Sequence, residues 1–162
     1  MTFDPNELIR VLDRHQVRYV LIGGLAASLH EADYVTGDLD ITPEATRDNL
    51  QRLSAALGDL RARIRVEGEP DGLPFDHDAR SLGGADVWNL VTRAGDLDIS
   101  FVPSGTQGYE DLVRGAVTIT IHGTEVVVAS LADVVRSKEA AGRDKDRAAL
   151  PMLRRLLEEL NG

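Results

Sequence analysis

The chain has 162 residues, enough for one domain with a buried core, and no cysteine, which excludes disulfides and thiolate-bound zinc. Its formal net charge of −9 argues against a general polyanion binder, because neutralising phosphates takes clustered Lys and Arg; only a local basic face is left for a structured nucleic acid. No run approaches the ~20 apolar residues of a membrane span, and Met1-Thr2-Phe3-Asp4-Pro5 lacks the layout of a signal peptide, so a soluble, cytoplasmic protein is expected.

Asp4-Pro5-Asn6-Glu7 reads as a helix start, with Asp as N-cap, Pro at the first helical position and Glu three residues after the cap. Leu8, Ile9 and Leu12 supply its apolar face. Val17 to Ile22 is rich in β-branched and aromatic residues and reads as a strand. A short helix from Leu25 to Ala32, a strand from Gly37 to Thr42 and a helix from Pro43 to Leu57 follow, the last with Leu50, Leu53 and Leu57 on one face. Leu60 to Val66 reads as a third strand. Glu67 to Ala85 is full of Gly, Pro and Asp and is expected to be a long, mobile loop. Strands at Asp86 to Thr92 and Leu97 to Val102 turn at Ala94-Gly95-Asp96. Val117 to Ile121 and Glu125 to Ala129 flank His122-Gly123-Thr124 as a hairpin. Ser130-Leu131-Ala132-Asp133 opens a helical segment that runs from about residue 130 to the last residue through a second capping box. The expectation is a single domain over residues 1–162, of α/β or α+β class, with helices flanking a mixed twisted sheet.

Two segments carry chemistry. In Asp38-Leu39-Asp40-Ile41 both carboxylates point to one face of a strand and both apolar side chains to the other, and Asp96-Leu97-Asp98-Ile99 repeats the alternation. If the two strands are neighbours, three or four carboxylates share a patch. Their repulsion is relieved by a divalent cation such as Mg²⁺; a solvated acidic face is the plainer alternative. A shared metal pair requires Asp38, Asp40 and Asp98 to converge to within roughly 4–7 Å. Gly23-Gly24 follows an apolar strand and precedes a helix, where unpaired N–H groups and the helix dipole can hold phosphate, although such a pair is often only a turn.

Lys138 falls at i+7 from Leu131 on the same face as Val134 and Val135, so its ammonium either snorkels past the core edge or enters a cleft. Gly142 reads as a helix stop, and Arg143-Asp144-Lys145-Asp146-Arg147 after it would ordinarily be a solvated turn. His15, His30, His77 and His122 show no metal-ligand spacing. A Walker-type loop, a Gly-x-Ser-x-Gly elbow and a dinucleotide fingerprint are all lacking.

On these residues the chain resembles the nucleotidyltransferases of the DNA polymerase β superfamily. It is most similar to the small abortive-infection nucleotidyltransferase toxins of bacterial toxin–antitoxin systems. The matching stretches are Tyr19 to Ala27, Thr36-Gly37-Asp38-Leu39-Asp40-Ile41, Gly95-Asp96-Leu97-Asp98-Ile99, and Leu131 to Asp146. The resemblance implies that Asp38, Asp40 and Asp98 bind Mg²⁺ or Mn²⁺, with Asp98 also helping to deprotonate the attacking hydroxyl. It implies that Gly23 and Gly24 hold the triphosphate of a nucleoside triphosphate, and that Lys138 and Asp146 match the toxins' basic and acidic positions. The pattern departs from the family at Gly24, where many members carry serine, and at Tyr34, where toxin relatives often carry a basic residue. The function expected is transfer of a nucleoside monophosphate to an acceptor such as tRNA, other RNA or protein, with a cognate antitoxin as partner. Two alternatives stay open: modification of a small molecule such as an aminoglycoside, whose cationic charge suits the negative chain, and a nucleotide- or partner-binding module without turnover.

Overall fold

The computed structural model describes residues 2–30 and 36–161. Its first helix, α1 (Pro5–Arg14), begins as the sequence predicts: the Asp4 carboxylate accepts a hydrogen bond from the Glu7 N–H at 3.2 Å. The reciprocal half of the box is absent, because the Asp4 N–H donates to the Ala94 carbonyl and Glu7 pairs with Arg10 and Arg93. The helix start is thereby tied to a turn of the sheet.

Strand β1 (Tyr19–Ile22) runs directly into α2 (Gly23–Leu29), so the glycine pair forms the first turn of the helix rather than preceding it. The helix ends at Leu29 with His30 as its C-cap, and the last two residues of the predicted span, 31–32, lie outside the described residues. Next come β2 (Asp38–Pro43) and α3 (Arg47–Asp59). Pro43 ends the strand instead of opening the helix, and Thr46 caps α3 by accepting from the Asn49 N–H at 3.4 Å. Asn49, fully buried, clamps this junction: its amide donates to the carbonyls of Arg18 (2.8 Å) and Glu44 (2.7 Å) and accepts from the Arg18 N–H (2.7 Å).

The segment expected to be a mobile loop is ordered. Strand β3 (Arg63–Val66) turns at Gly68 into β4 (Glu69–Leu73), and α4 (Ala79–Leu82) follows with a complete capping box between Asp78 and Ser81. Pro70 is compatible with a strand because β4 lies at the sheet edge, where a missing N–H leaves no ladder bond unmade. Gly72 takes φ +69 where a Cβ would meet the Ile64 carbonyl oxygen at 2.7 Å, next to a shift of register. Phe75 stacks on Trp88 at 5.5 Å, and His77 Nδ1 lies 2.7 Å from Ser54 Oγ on α3.

Strands β5 (Val87–Thr92) and β6 (Gly95–Ser100) form a tight hairpin, then α5 (Tyr109–Gly115), which the sequence reading left unassigned. β7 (Val117–Ile121) and β8 (Thr124–Val128) turn through His122 and Gly123, both at positive φ, one residue tighter than predicted. Ser130 caps α6 (Leu131–Ala141), which stops at Gly142 in the left-handed conformation; α7 (Asp144–Asn161) completes the helical segment.

The described strands form one mixed sheet in the order β4-β3-β5-β6-β2-β1-β8-β7, parallel at β6/β2 and β1/β8 and antiparallel elsewhere. Leu39, Ile41, Leu97 and Ile99 are fully buried in the core, so the intervening aspartates emerge together on the other face. Helix α3 packs on α1 and α4, while α6 packs on α2 and α7. No helix among the described residues is long and apolar enough to cross a membrane. Asn49→Ala removes the partners of the Arg18 N–H and Glu44 carbonyl, and urea denaturation should show a loss of about 2–3 kcal/mol.

Candidate active site

The parallel pairing of β2 with β6 sets Asp38 beside Asp96 and Asp40 beside Asp98, and the antiparallel pairing of β1 with β2 sets Ile22 beside Asp40. The start of α2 therefore sits over the acidic strand. Asp38, Asp40 and Asp98 each offer an oxygen, all within 4.8 Å of one another, inside the range that a shared metal pair requires. They are the one group of three such ligands among the described residues. Asp96 stands apart, paired with Arg65 at 3.1 Å. The histidines do not contribute: His15 pairs with Asp59, His30 with the Ala129 carbonyl and His77 with Ser54, and His122 is a turn residue.

Burial and mutual repulsion act on the same carboxylates. Burial raises the Asp40 pKa to about 7, with the charges of Asp38 and Asp98 adding to it and those of Lys145 and Lys138 opposing it. Burial and a hydrogen bond with Asp38 raise Asp98 to about 6 against the opposing Arg65 guanidinium. Arg65 Nη2 donates to Asp98 Oδ1 at 2.6 Å, and Thr36 Oγ1 donates to Asp38 Oδ1 at 3.0 Å. Such a cluster is poorly stabilised by protein groups alone, and hard oxygen donors at this spacing suit Mg²⁺ or Mn²⁺.

Gly23 is required by contact as well as by conformation. It adopts φ +71, and a Cβ there would lie 2.2 Å from Asp40 Oδ2. The helix start thus approaches the carboxylate more closely than any side chain would permit. Ile22 is the N-cap and supplies no side-chain hydrogen bond, so the amides of the first turn have no side-chain cap. Gly24 is buried.

The triad opens into a cleft of about 620 Å³, bounded on one side by Gly23 and Gly24 and on the other by α6 and the start of α7. Lys138 lines it while only 7% exposed, and the buried residues of α6 are Leu131, Val134, Val135 and Lys138, the face that periodicity predicts. Its Nζ lies 3.6 Å from Asp146 Oδ1. The charge cluster after Gly142 is therefore no solvated turn: it starts α7 and contains a fully buried Asp146, which accepts from Arg143 Nε at 2.7 Å, Nη2 at 3.2 Å and N–H at 3.2 Å. Burial pushes the Asp146 pKa up, but the hydrogen bonds and charge of Arg143, with the charge of Lys138, hold it below the usual carboxylate range. Asp146 has no exposed surface of its own, whereas Lys138, Arg143 and Lys145 line the cleft.

Tyr34 lies outside the described residues. Arg65, Thr36 and Lys145 were not picked out from sequence. Thr36 and Lys145 stood inside stretches that drew notice, but nothing local in Arg63-Ile64-Arg65-Val66 points to a strand two places away.

The mixed sheet and its flanking helices are a fold shared with solved structures of nucleotidyltransferases. The lincosamide antibiotic adenylyltransferase LnuA, determined with lincomycin bound, superimposes with a TM-score of 0.61 at 16% identity over 96% of this chain and 99% of its own. TM1012 of Thermotoga maritima, a candidate nucleotidyltransferase, gives 0.57 at 16% identity over 96% and 91%. ANT(2″)-Ia, solved in complex with adenylyl-2″-tobramycin, gives 0.57 at 14% identity over 92% and 84%. No family model matches the sequence, and no curated protein matches it.

Two expectations follow from the geometry. Gly23→Ala forces either Asp40 or the helix start to move and should lower stability by roughly 2 kcal/mol or more in urea titration. The raised carboxylate pKa values mean that, without metal, the folded state holds protons more tightly than the unfolded state. Stability of the metal-free protein should therefore fall as pH rises from about 4 through about 7. Differential scanning fluorimetry should find Asp40→Asn more stable than wild type by at least about 3 °C at pH 8, and nearly equal at pH 5, where Asp40 is already protonated.

Proposed function

We propose that this protein is a cytoplasmic nucleotidyltransferase that moves a nucleoside monophosphate from a nucleoside triphosphate to an acceptor, releasing pyrophosphate. The observation that carries the reading is the meeting of Asp38, Asp40 and Asp98 within 4.8 Å, with Gly23 pressed against Asp40. A cluster of acids alone would be unremarkable on a protein surface; here it faces an uncapped helix start and a wall bearing Lys138, Arg143 and Lys145.

Mg²⁺ or Mn²⁺ held by Asp38, Asp40 and Asp98 would supply charge neutralisation at the phosphates and a template for in-line displacement. The protein's own groups do the remainder. The amides of Gly23 and Gly24 hold the triphosphate at the start of α2, and Lys138 faces it from α6. Asp146 acts through its neighbours, its ion pairs with Lys138 and Arg143 holding both at the wall of the cleft. Asp98, level with Asp40 on the neighbouring strand, accepts the acceptor's proton, the role that the resemblance implies for it. The acceptor oxygen then bonds to the α-phosphorus as the bond to the pyrophosphate oxygen breaks, and the proton leaves on the Asp98 carboxylate.

Two acceptor classes have support. Resemblance to abortive-infection toxins in Tyr19 to Ala27, Thr36 to Ile41, Gly95 to Ile99 and Leu131 to Asp146 favours tRNA, other RNA or protein, with an antitoxin as regulatory partner. The net charge of −9 and the fit to LnuA over nearly the whole of both chains favour a small, cationic acceptor. Incubation with each α-³²P-labelled nucleoside triphosphate, Mg²⁺ or Mn²⁺, and either total RNA and protein or a panel of aminoglycosides and lincosamides separates them. Label should enter one class of acceptor, and Asp38→Ala and Asp98→Ala should each cut incorporation by at least about 10³-fold. Nucleotide binding without labelled product in either class, and unchanged by those variants, would favour a binding module instead.

A further inference from the structure

Strand β3 lies two places from β6, with β5 between them. Ile64 pairs with Leu90 and Asn89 with Asp98, so Arg65 shares the face of the acids but starts roughly 9–10 Å away across two strand spacings. Its guanidinium spans that gap over Asn89. One nitrogen donates to Asp98 Oδ1 at 2.6 Å and the other reaches Asp96 Oδ2 at 3.1 Å. The fork is split between two carboxylates, and Nη1 is buried without a well-formed hydrogen bond. Arg65 is thus strongly attracted but incompletely satisfied, and its side chain remains one-third exposed.

We propose that Arg65 is a built-in counter-ion of the acidic site, holding one oxygen of Asp98 in the metal-free protein so that a divalent cation must compete with it. This rests on the metal-binding reading above and adds a reason for the three carboxylates to tolerate one another's charge. The guanidinium neutralises part of the charge on Asp98, at the edge of the three clustered carboxylates, and on Asp96 beside them. The same positive charge, in contact with one of the three ligands, repels an incoming cation. Metal binding is then weak until a nucleotide brings further negative charge into the cleft, which couples occupation by metal to occupation by substrate. In this role Arg65 is a positioning residue that acts through Asp98.

The test is Mn²⁺ binding by calorimetry at pH 8 without nucleotide, for wild type, Arg65→Met, Arg65→Lys and Arg63→Met. Arg63 lies on the same strand and reaches the Gly72 carbonyl instead, so it controls for disturbance of the hairpin. Arg65→Met should bind Mn²⁺ at least about tenfold more tightly than wild type, while Arg65→Lys and Arg63→Met stay within about threefold. Thermal melting should confirm that each variant is folded, with the metal-free Arg65→Met protein less stable at pH 8 and regaining stability on adding Mn²⁺. Unchanged or weaker Mn²⁺ binding by Arg65→Met would overturn the counter-ion role while leaving the metal site intact. Affinity that Asp98→Asn leaves at the wild-type value would overturn the metal site and this role together.

Discussion

Mutual repulsion among three carboxylates held within 4.8 Å is the constraint on which the rest of this structure depends. Buried apolar neighbours give them no room to turn away: Leu39, Ile41, Leu97 and Ile99 lock the two strands into the core, and the pleat sends every intervening aspartate to the same side. The parallel register of β2 with β6 brings the pairs level. Burial first, and then the neighbouring acids, make Asp40 and Asp98 hold their protons well above the usual carboxylate range, against the opposing charges of the lysines across the cleft and of Arg65 respectively. The core packing therefore stores the charge that a cation and a triphosphate would use.

Around that centre the fold arranges opposite charges at two distances. Gly23 brings the helix start to the carboxylate itself, closer than a Cβ allows. Lys138, Arg143 and Lys145 stand across the cleft, where the buried Asp146 organises the first two. Lys138 is only 7% exposed, and its ion pair with Asp146 offsets the cost of burying a charge. The buried acid of α7 is thus matched by ion pairs with Lys138 and Arg143, whereas the half-buried acids of β2 and β6 face one another.

The acidic strands, the glycine pair and the face of α6 were legible because each is written locally: a period of two, a dipeptide at a strand end, a spacing of three and four. Two kinds of feature were not. Strand β4 carries Pro70 and Gly72, which argue against a strand until its place at the sheet edge is known. Arg65 and the Asn49 clamp depend on partners 33 and 31 residues away, and nothing in their own segments announces the contact. Asp146 illustrates the limit in another form. Its charge run looks solvated on composition, and only the packing of α7 on α6 buries it. Sequence pattern conveyed what each element presents; which elements meet decided what those residues do.

The central claim is that one cleft holds both metal and nucleotide. Crystals soaked with Mn²⁺ and a non-hydrolysable nucleoside triphosphate analogue test it most directly, with anomalous scattering to locate the ion. The account predicts anomalous density among Asp38, Asp40 and Asp98, and triphosphate oxygens against the amides of Gly23 and Gly24. Nucleotide bound elsewhere, or ordered in this cleft with no ion at the three carboxylates, would contradict it.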